Sequence, residues 1–317
     1  MKVIYFKGII FMLLLFLVNT DIVFDKFAEK LKKRVKIFCI VLTGKDFKHS
    51  RDIPQKNTWL RRCNKYVFAS SVNDPSLPSI KLLDKHGYDF SYTKIRGAFK
   101  YVYERYGNQY DWFYKGESTY SVMENLRMFL LRKDPNKAKE YYGFRVIFRD
   151  RNIKAGYTTG GSGYVISKAS LKKLVTKGFP NKKICRPLAP LLEDKEIGQC
   201  LANLNIRPVN SNDKRQRHLF IPGSLKEFAS PLQNPRKLMF KRFSLMPIGN
   251  GISSLSKFPI AFHYIDNRMM YTLEYLLYHT KVAGLSSSVF NWFDRHGNNE
   301  KLIEALEGLK NISKSNY

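Results

Sequence analysis

The sequence predicts an α/β fold built on a central, mostly parallel sheet and preceded by a membrane anchor. Three observations carry that expectation. Apolar β-branched runs alternate with helically spaced apolar runs along most of the chain, the order of a parallel sheet with right-handed crossovers. Hydrophobic residues make up 44% and aromatic residues 14% of the 317, enough for a substantial core. Residues 9–18, IIFMLLLFLV, form an unbroken apolar run behind Lys2 and Lys7.

Residues 1–20 read as a signal-anchor. The apolar stretch approaches the ~20 residues of a bilayer core only when VIYF at 3–6 is counted across Lys7. A cleaved signal peptide is the alternative, although Val18-Asn19-Thr20 makes a poor small-x-small cleavage site. The basic flank places the amino terminus in the cytosol and the remainder across the membrane. Residues 21–33, polar and basic, follow as a short stem.

The folded domain is expected over 34–280. RVKIFCIVLTG (34–44) reads as a buried strand closed by Gly44, and KYVFAS (65–70) as a second. PSLPS (75–79) is a loop. KIRGAFKYVYERYG (94–107) spaces its aromatics helically and stops at Gly107. DWFYK (111–115) is the next strand and TYSVMENLRMFLLRK (119–133) the next helix, ended by Asp134-Pro135. YYGFRVIFR (141–149) reads as a hairpin or edge strand. Residues 155–174 give a glycine-rich turn, a short strand and a helix from about Ser167. LLEDKEIGQCLANLN (191–205) is a helix with an acidic start. Residues 211–257 look irregular, and 258–280 form a short strand and an apolar helix. Residues 281–317 read as a polar tail.

Charge and cysteine usage narrow the function classes. Fifty-five Lys and Arg against 26 Asp and Glu give +29, which attracts polyanions. The basic residues are dispersed (32–36, 151–154, 214–217), with no zinc-finger, helix-turn-helix or RNA-recognition pattern. Nucleic acid is therefore not an expected partner, and the charge reads as a solvated surface. Cys39, Cys63, Cys185 and Cys200 stand outside CxxC spacing, against zinc. They permit three pairings, and an oxidising lumen would favour two disulfides. Asn311-Ile312-Ser313 is a glycosylation sequon.

Several residues are placed to carry chemistry. In open sheets ligands sit at the carboxyl ends of strands, where the turn after DWFYK presents Gly116, Glu117 and Ser118. Glu117 is either a metal ligand or an acid suited to a helix start. GGSG (160–163) either turns the chain or lets backbone approach a ligand. Glu193-Asp194 supplies a general base or a helix cap. His263, between Phe262 and Tyr264, is a neutral metal ligand or a core histidine.

Six blocks in order resemble the core 1 β1,3-galactosyltransferases, within the Fringe-like β1,3-glycosyltransferases. They are VLTG (41–44), TWLRRCNKYVFASS (58–71), DWFYK…TYSVMENLRMFL (111–130), GYTTGGSGYVISKASLKKL (156–174), EDKEIGQCLANLNI (193–206) and AFHYIDNRMMYTLEYLLYH (261–279). The resemblance implies a GT-A-like, Rossmann-like domain in a single-pass type II Golgi membrane protein, with the catalytic domain lumenal. It implies inverting transfer of galactose from UDP-galactose to the 3-hydroxyl of Ser/Thr-linked N-acetylgalactosamine, with Mn²⁺ as cofactor. The implied partners are the UDP-sugar, a GalNAc-bearing glycoprotein, the membrane and a second copy in a homodimer.

Residue by residue, the resemblance assigns UDP to Thr43, Gly44, Thr58, Trp59, Arg62, Lys94 and Lys115. The donor and acceptor cleft falls to Gly160, Gly161, Ser162, Gly163 and Tyr264, and metal ligation to Glu117 and His263. Asp194 or Glu193 would be the base, and Cys39–Cys63 and Cys185–Cys200 the disulfides. The sequence departs from the family at the metal turn, where KADDDTY becomes Lys115-Gly116-Glu117-Ser118-Thr119-Tyr120, and it lacks the cysteine pair before the FHY segment. Loss of carboxylates weakens metal binding. It leaves two readings: a transferase leaning on Lys115 for charge, or a non-catalytic, chaperone-like homologue.

Overall fold

The computed structural model describes residues 26–85, 87–147, 156–188 and 192–280. The expected anchor (1–20), the tail (281–317) and Asn311 lie outside the described residues. Among those residues no helix is long and apolar enough to cross a membrane.

Helix α1 (Lys26–Arg34) is amphipathic and buries Phe27 and Leu31. From Lys26 on, the segment expected as stem is thus a helix packed on the domain. There follow β1 (Ile37–Leu42), α2 (Ile53–Asn57), β2 (Lys65–Ser70), β3 (Ser79–Lys81), α3 (Ser91–Tyr106), β4 (Trp112–Gly116), β5 (Thr119–Ser121) and α4 (Met123–Leu130). The second half has β6 (Glu140–Gly143), β7 (Arg145–Val146), β8 (Tyr157–Thr158), β9 (Tyr164–Ser167), α5 (Lys168–Lys173) and α6 (Glu193–Asn203). It closes with β10 (Arg207–Pro208), β11 (Phe220–Ile221), α7 (Leu225–Ala229), α8 (Pro235–Phe243), β12 (Ala261–His263) and α9 (Asn267–Tyr278).

A seven-stranded sheet in the order β10-β6-β9-β4-β1-β2-β3 forms the centre. All its pairings are parallel except those of β9, which runs antiparallel to β4 and β6. Successive side chains of a strand point to opposite faces. Accordingly Ile37, Cys39 and Val41 enter one core cluster while Phe38, Ile40 and Leu42 enter the other. Both faces of β1 are covered, which is why it reads as an uninterrupted apolar run.

Three expectations need correction. Thr119–Ser121 does not open a helix; it forms β5, antiparallel to β12 in a three-stranded sheet with β11. Its β-branched and aromatic residues suit a strand, and the helix starts only at Met123. Strand β6 is not at an edge, because β10 pairs outside it. The stretch expected as irregular contains two helices with legible starts. Ser224 and Glu227 form a capping box for α7, and Asn234 caps α8 with Pro235 at its first turn.

Candidate active site

Parallel pairing of β1 with β4 sets Val41 opposite Gly116, so both strands end at one edge. The cleft there is lined by Thr43, Gly44, Phe47, Arg51, Lys94 and Glu117, among others. Lys94 reaches it from α3 and is 4% exposed, its Nζ donating to the Thr43 carbonyl at 2.7 Å. Burial lowers its pKa, opposed by Glu117. Thr43 also donates through Oγ1 to Asp52 Oδ1 at 2.7 Å, fixing the floor.

Beneath the cleft lies a charged cluster. Lys115, wholly buried, points its Nζ at Glu193 Oε2 (2.9 Å) and Glu117 Oε2 (3.3 Å). Burial would lower its pKa, but Glu193 and Glu117 outweigh that and raise it, so the ammonium keeps its proton. Tyr164 donates to the other oxygen of Glu193 at 2.5 Å. Asp194 is held by backbone: the N–H of Gly160 donates to Oδ2 at 2.7 Å and that of Lys195 to Oδ1 at 2.8 Å. Each of its oxygens retains a free lone pair, and burial raises its pKa against the Gly160 bond.

The GGSG turn brings these parts together. A Cβ on Gly160 would stand 2.9 Å from Lys115 Nζ and 3.0 Å from Glu193 Oε2. On Gly161 it would stand 2.5 Å from the His263 ring. A side chain at either position would push those groups out of place. Gly163 closes the turn by donating to the Gly160 carbonyl, while Ser162 is wholly buried, inside rather than on the cleft.

Strand β12 delivers His263 because β5 pairs it opposite Thr119, just past the Glu117 turn. Thr119 Oγ1 in turn donates to the Gly161 carbonyl at 2.8 Å. Burial lowers the His263 pKa to about 4 despite Glu117, so the ring is neutral at physiological pH. Tyr264 follows with φ of 52°, its ring 3.8 Å from the imidazole and under the Arg236 guanidinium at 4.1 Å. A non-glycine residue in that conformation is strained, as at many functional sites.

These residues do not fit a resident divalent cation. Its shell depends on carboxylate charge, and Glu117 is the single acid of the turn, within 3.3 Å of an ammonium. Among the described residues no three His, Cys, Asp or Glu side chains converge to hold a metal.

Three residues expected at the nucleotide turn inward instead. Thr58 donates to the Pro54 carbonyl, and Trp59 is wholly buried behind Gly116. Arg62 forms a two-bonded ion pair with Glu274, at 2.9 and 2.6 Å. Conversely, Phe47 and Arg51 line the cleft without having been expected there. Their signal was slight: they stand three and seven residues beyond Gly44 of VLTG, past a strand's carboxyl end. Both disulfides implied by the resemblance form, Cys39–Cys63 and Cys185–Cys200.

Comparison with known proteins follows the same lines. Glycoprotein-N-acetylgalactosamine 3-beta-galactosyltransferase 1 of Xenopus laevis is 34% identical over 259 residues, 81% of this chain and 70% of that protein. Chondroitin sulfate synthase 3 of Mus musculus is 26% identical over 181 residues, 51% of this chain but 20% of that one. The Homo sapiens protein of the same name is 25% identical over 192 residues, 55% of this chain and 21% of its own. No family model matches the chain.

Proposed function

The chain belongs to the core 1 β1,3-galactosyltransferase family, and from that premise we propose that it moves galactose from UDP-galactose to the 3-hydroxyl of Ser/Thr-linked N-acetylgalactosamine, with inversion. One observation carries the reading: Asp194 is clamped by two backbone N–H groups beside the buried Lys115, next to a cleft at the ends of β1 and β4.

In the proposed step the acceptor oxygen attacks the anomeric carbon while Asp194 takes its proton. The bond from that carbon to the diphosphate oxygen breaks, and its electron pair leaves with UDP. Asp194 is preferred to Glu193 because Glu193 is tied directly to the Lys115 ammonium at 2.9 Å, whereas the Asp194 oxygens accept only from backbone N–H groups. Burial, which raises the Asp194 pKa, makes it a stronger acceptor of the proton. Glu193 is then a positioning residue for Lys115, whose charge faces the departing diphosphate. Thr43, Gly44 and Lys94 line the donor pocket, with Gly160, Gly161 and Tyr264 toward the acceptor.

Manganese, implied by the resemblance, would have Glu117 and His263 as protein donors; that set does not fit, and no step runs through the ion. The chaperone-like reading drew on the shortened turn. It gains no support from a site whose base and ammonium remain assembled. The proposal keeps residues 1–20 as a Golgi anchor, shortens the stem to 21–25, and begins the lumenal domain, through 280, at α1. The homodimer rests on the resemblance alone.

The test is transfer from UDP-galactose to a GalNAc-peptide by the purified chain. Asp194→Asn should lower turnover by about 10³-fold, within the range for a lost general base, while UDP affinity holds within about twofold. Unchanged turnover would move the base elsewhere, and a folded protein yielding no product would overturn the proposal.

A further inference from the structure

We infer that the donor diphosphate is met here by fixed side-chain cations, Lys94 and Arg51, so that UDP binds without a divalent ion. The inference rests on the donor reading above and deepens it.

Lys94 is a buried cation lacking its counter-charge. Its Nζ donates to a neutral carbonyl, that of Thr43. Among the described residues no carboxylate lies within ion-pair distance of it. An ammonium has three donors, and a buried charge left unpaired is costly. An anion entering the cleft supplies the missing partner. Arg51 lines the same cleft, its guanidinium stacked over the Phe47 ring at 4.0 Å. It too has no carboxylate within ion-pair distance among the described residues. A planar guanidinium held flat by a ring is pre-organised for two-bonded contact with phosphate oxygens.

The acids tell the same story from the other side. A turn with several carboxylates repels a diphosphate and needs a divalent ion between them. Here the turn has one acid, Glu117, and Lys115 already faces it at 3.3 Å. The need for a bridging ion falls with the carboxylates that created it. The cleft wall itself carries Lys45, Arg51 and Lys94 against Asp46 and Glu117, a cationic surplus before Lys115 is counted. The altered turn and the unpaired cations are thus two halves of one exchange, from metal-borne to side-chain-borne charge.

Calorimetric titration of UDP into the full chain, in EDTA and in excess Mn²⁺, tests this. Dissociation constants should agree within about twofold, and Lys94→Met should weaken binding in EDTA by about tenfold or more. Arg51→Gln should weaken it by about fivefold, with Arg51→Lys recovering only part of the loss. UDP binding only with Mn²⁺ overturns the inference and leaves the donor reading intact. A folded chain that binds no UDP under either condition overturns both. Because Lys94 is buried, its variant is first checked by thermal melting. If it does not fold, the half-exposed Arg51 decides, and unchanged affinity in Arg51→Gln refutes the idea.

Discussion

Asp52, beneath the cleft, shows how a single buried carboxyl makes stability depend on pH. It is 2% exposed and accepts from Thr43 Oγ1 through both oxygens. Burial pushes its pKa up to about 6, with the Thr43 bond opposing. The folded state therefore holds this proton more tightly than the unfolded chain. The stabilisation is complete below the unfolded value, ~4 for Asp, and is lost as pH rises through 6. About two units at 1.36 kcal/mol each bound the effect at ~3 kcal/mol. Asp52→Asn keeps an oxygen for Thr43 and removes the titration. Between pH 4 and 7 the native chain should lose up to ~3 kcal/mol relative to this variant in urea unfolding. Parallel stability profiles would show that Asp52 does not titrate in that window.

At the scale of elements, the site is a meeting of a strand end, a turn and a helix start. Strand β4 supplies Lys115, GGSG supplies the Gly160 N–H, and α6 begins with Glu193 and Asp194. Gly160→Ala inserts a methyl into that junction, 2.9 Å from Lys115 Nζ and 3.2 Å from Asp194 Cβ. Overpacking of this kind costs ~1–3 kcal/mol, and displacing reacting groups by about 1 Å costs ~10²-fold in rate. The variant should lose both, by urea unfolding and by turnover. Retained turnover would mean that the turn does not set the carboxylates. The motif GGSG was visible in the sequence, as was the acidic helix start. Their contact was not, because 33 positions separate Gly160 from Glu193 and nothing local couples them. Strand β5 escaped for a similar reason: Thr119–Ser121 runs on into the helically spaced MENLRMFL, and only pairing with β12 makes it a strand.

On the scale of the whole molecule, α9 is pinned to the domain by charge. Arg62, wholly buried, pairs with Glu274, which also accepts from the Tyr120 hydroxyl at 2.7 Å. The Tyr278 ring lies under the same guanidinium at 3.4 Å. Removing one partner of a buried pair costs up to ~3–5 kcal/mol, less here to the extent that Glu124, 3.8 Å from the Arg62 Nε, shares the charge. Glu274→Gln should lower the urea midpoint accordingly and weaken the seating of β12, and with it His263. A loss below ~1 kcal/mol would place the pair among surface bridges. Arg62 looked like a ligand-binding arginine in its own segment; its partner stands 212 residues on.

Periodicity, turn residues and the order of six blocks were enough to specify an α/β sheet, its main helices, the paired cysteines and the acid cluster. The helices and the acidic helix start are set by interactions within a few residues, which a linear reading can follow, while the cysteine pairs, 24 and 15 residues apart, came from the resemblance. Only the folded chain decided which charges face one another: Lys115 with Glu193, Arg62 with Glu274, Lys94 with no carboxylate within ion-pair distance among the described residues. Burial and electrostatic fields act across space, and they select partners by proximity that no spacing along the chain records.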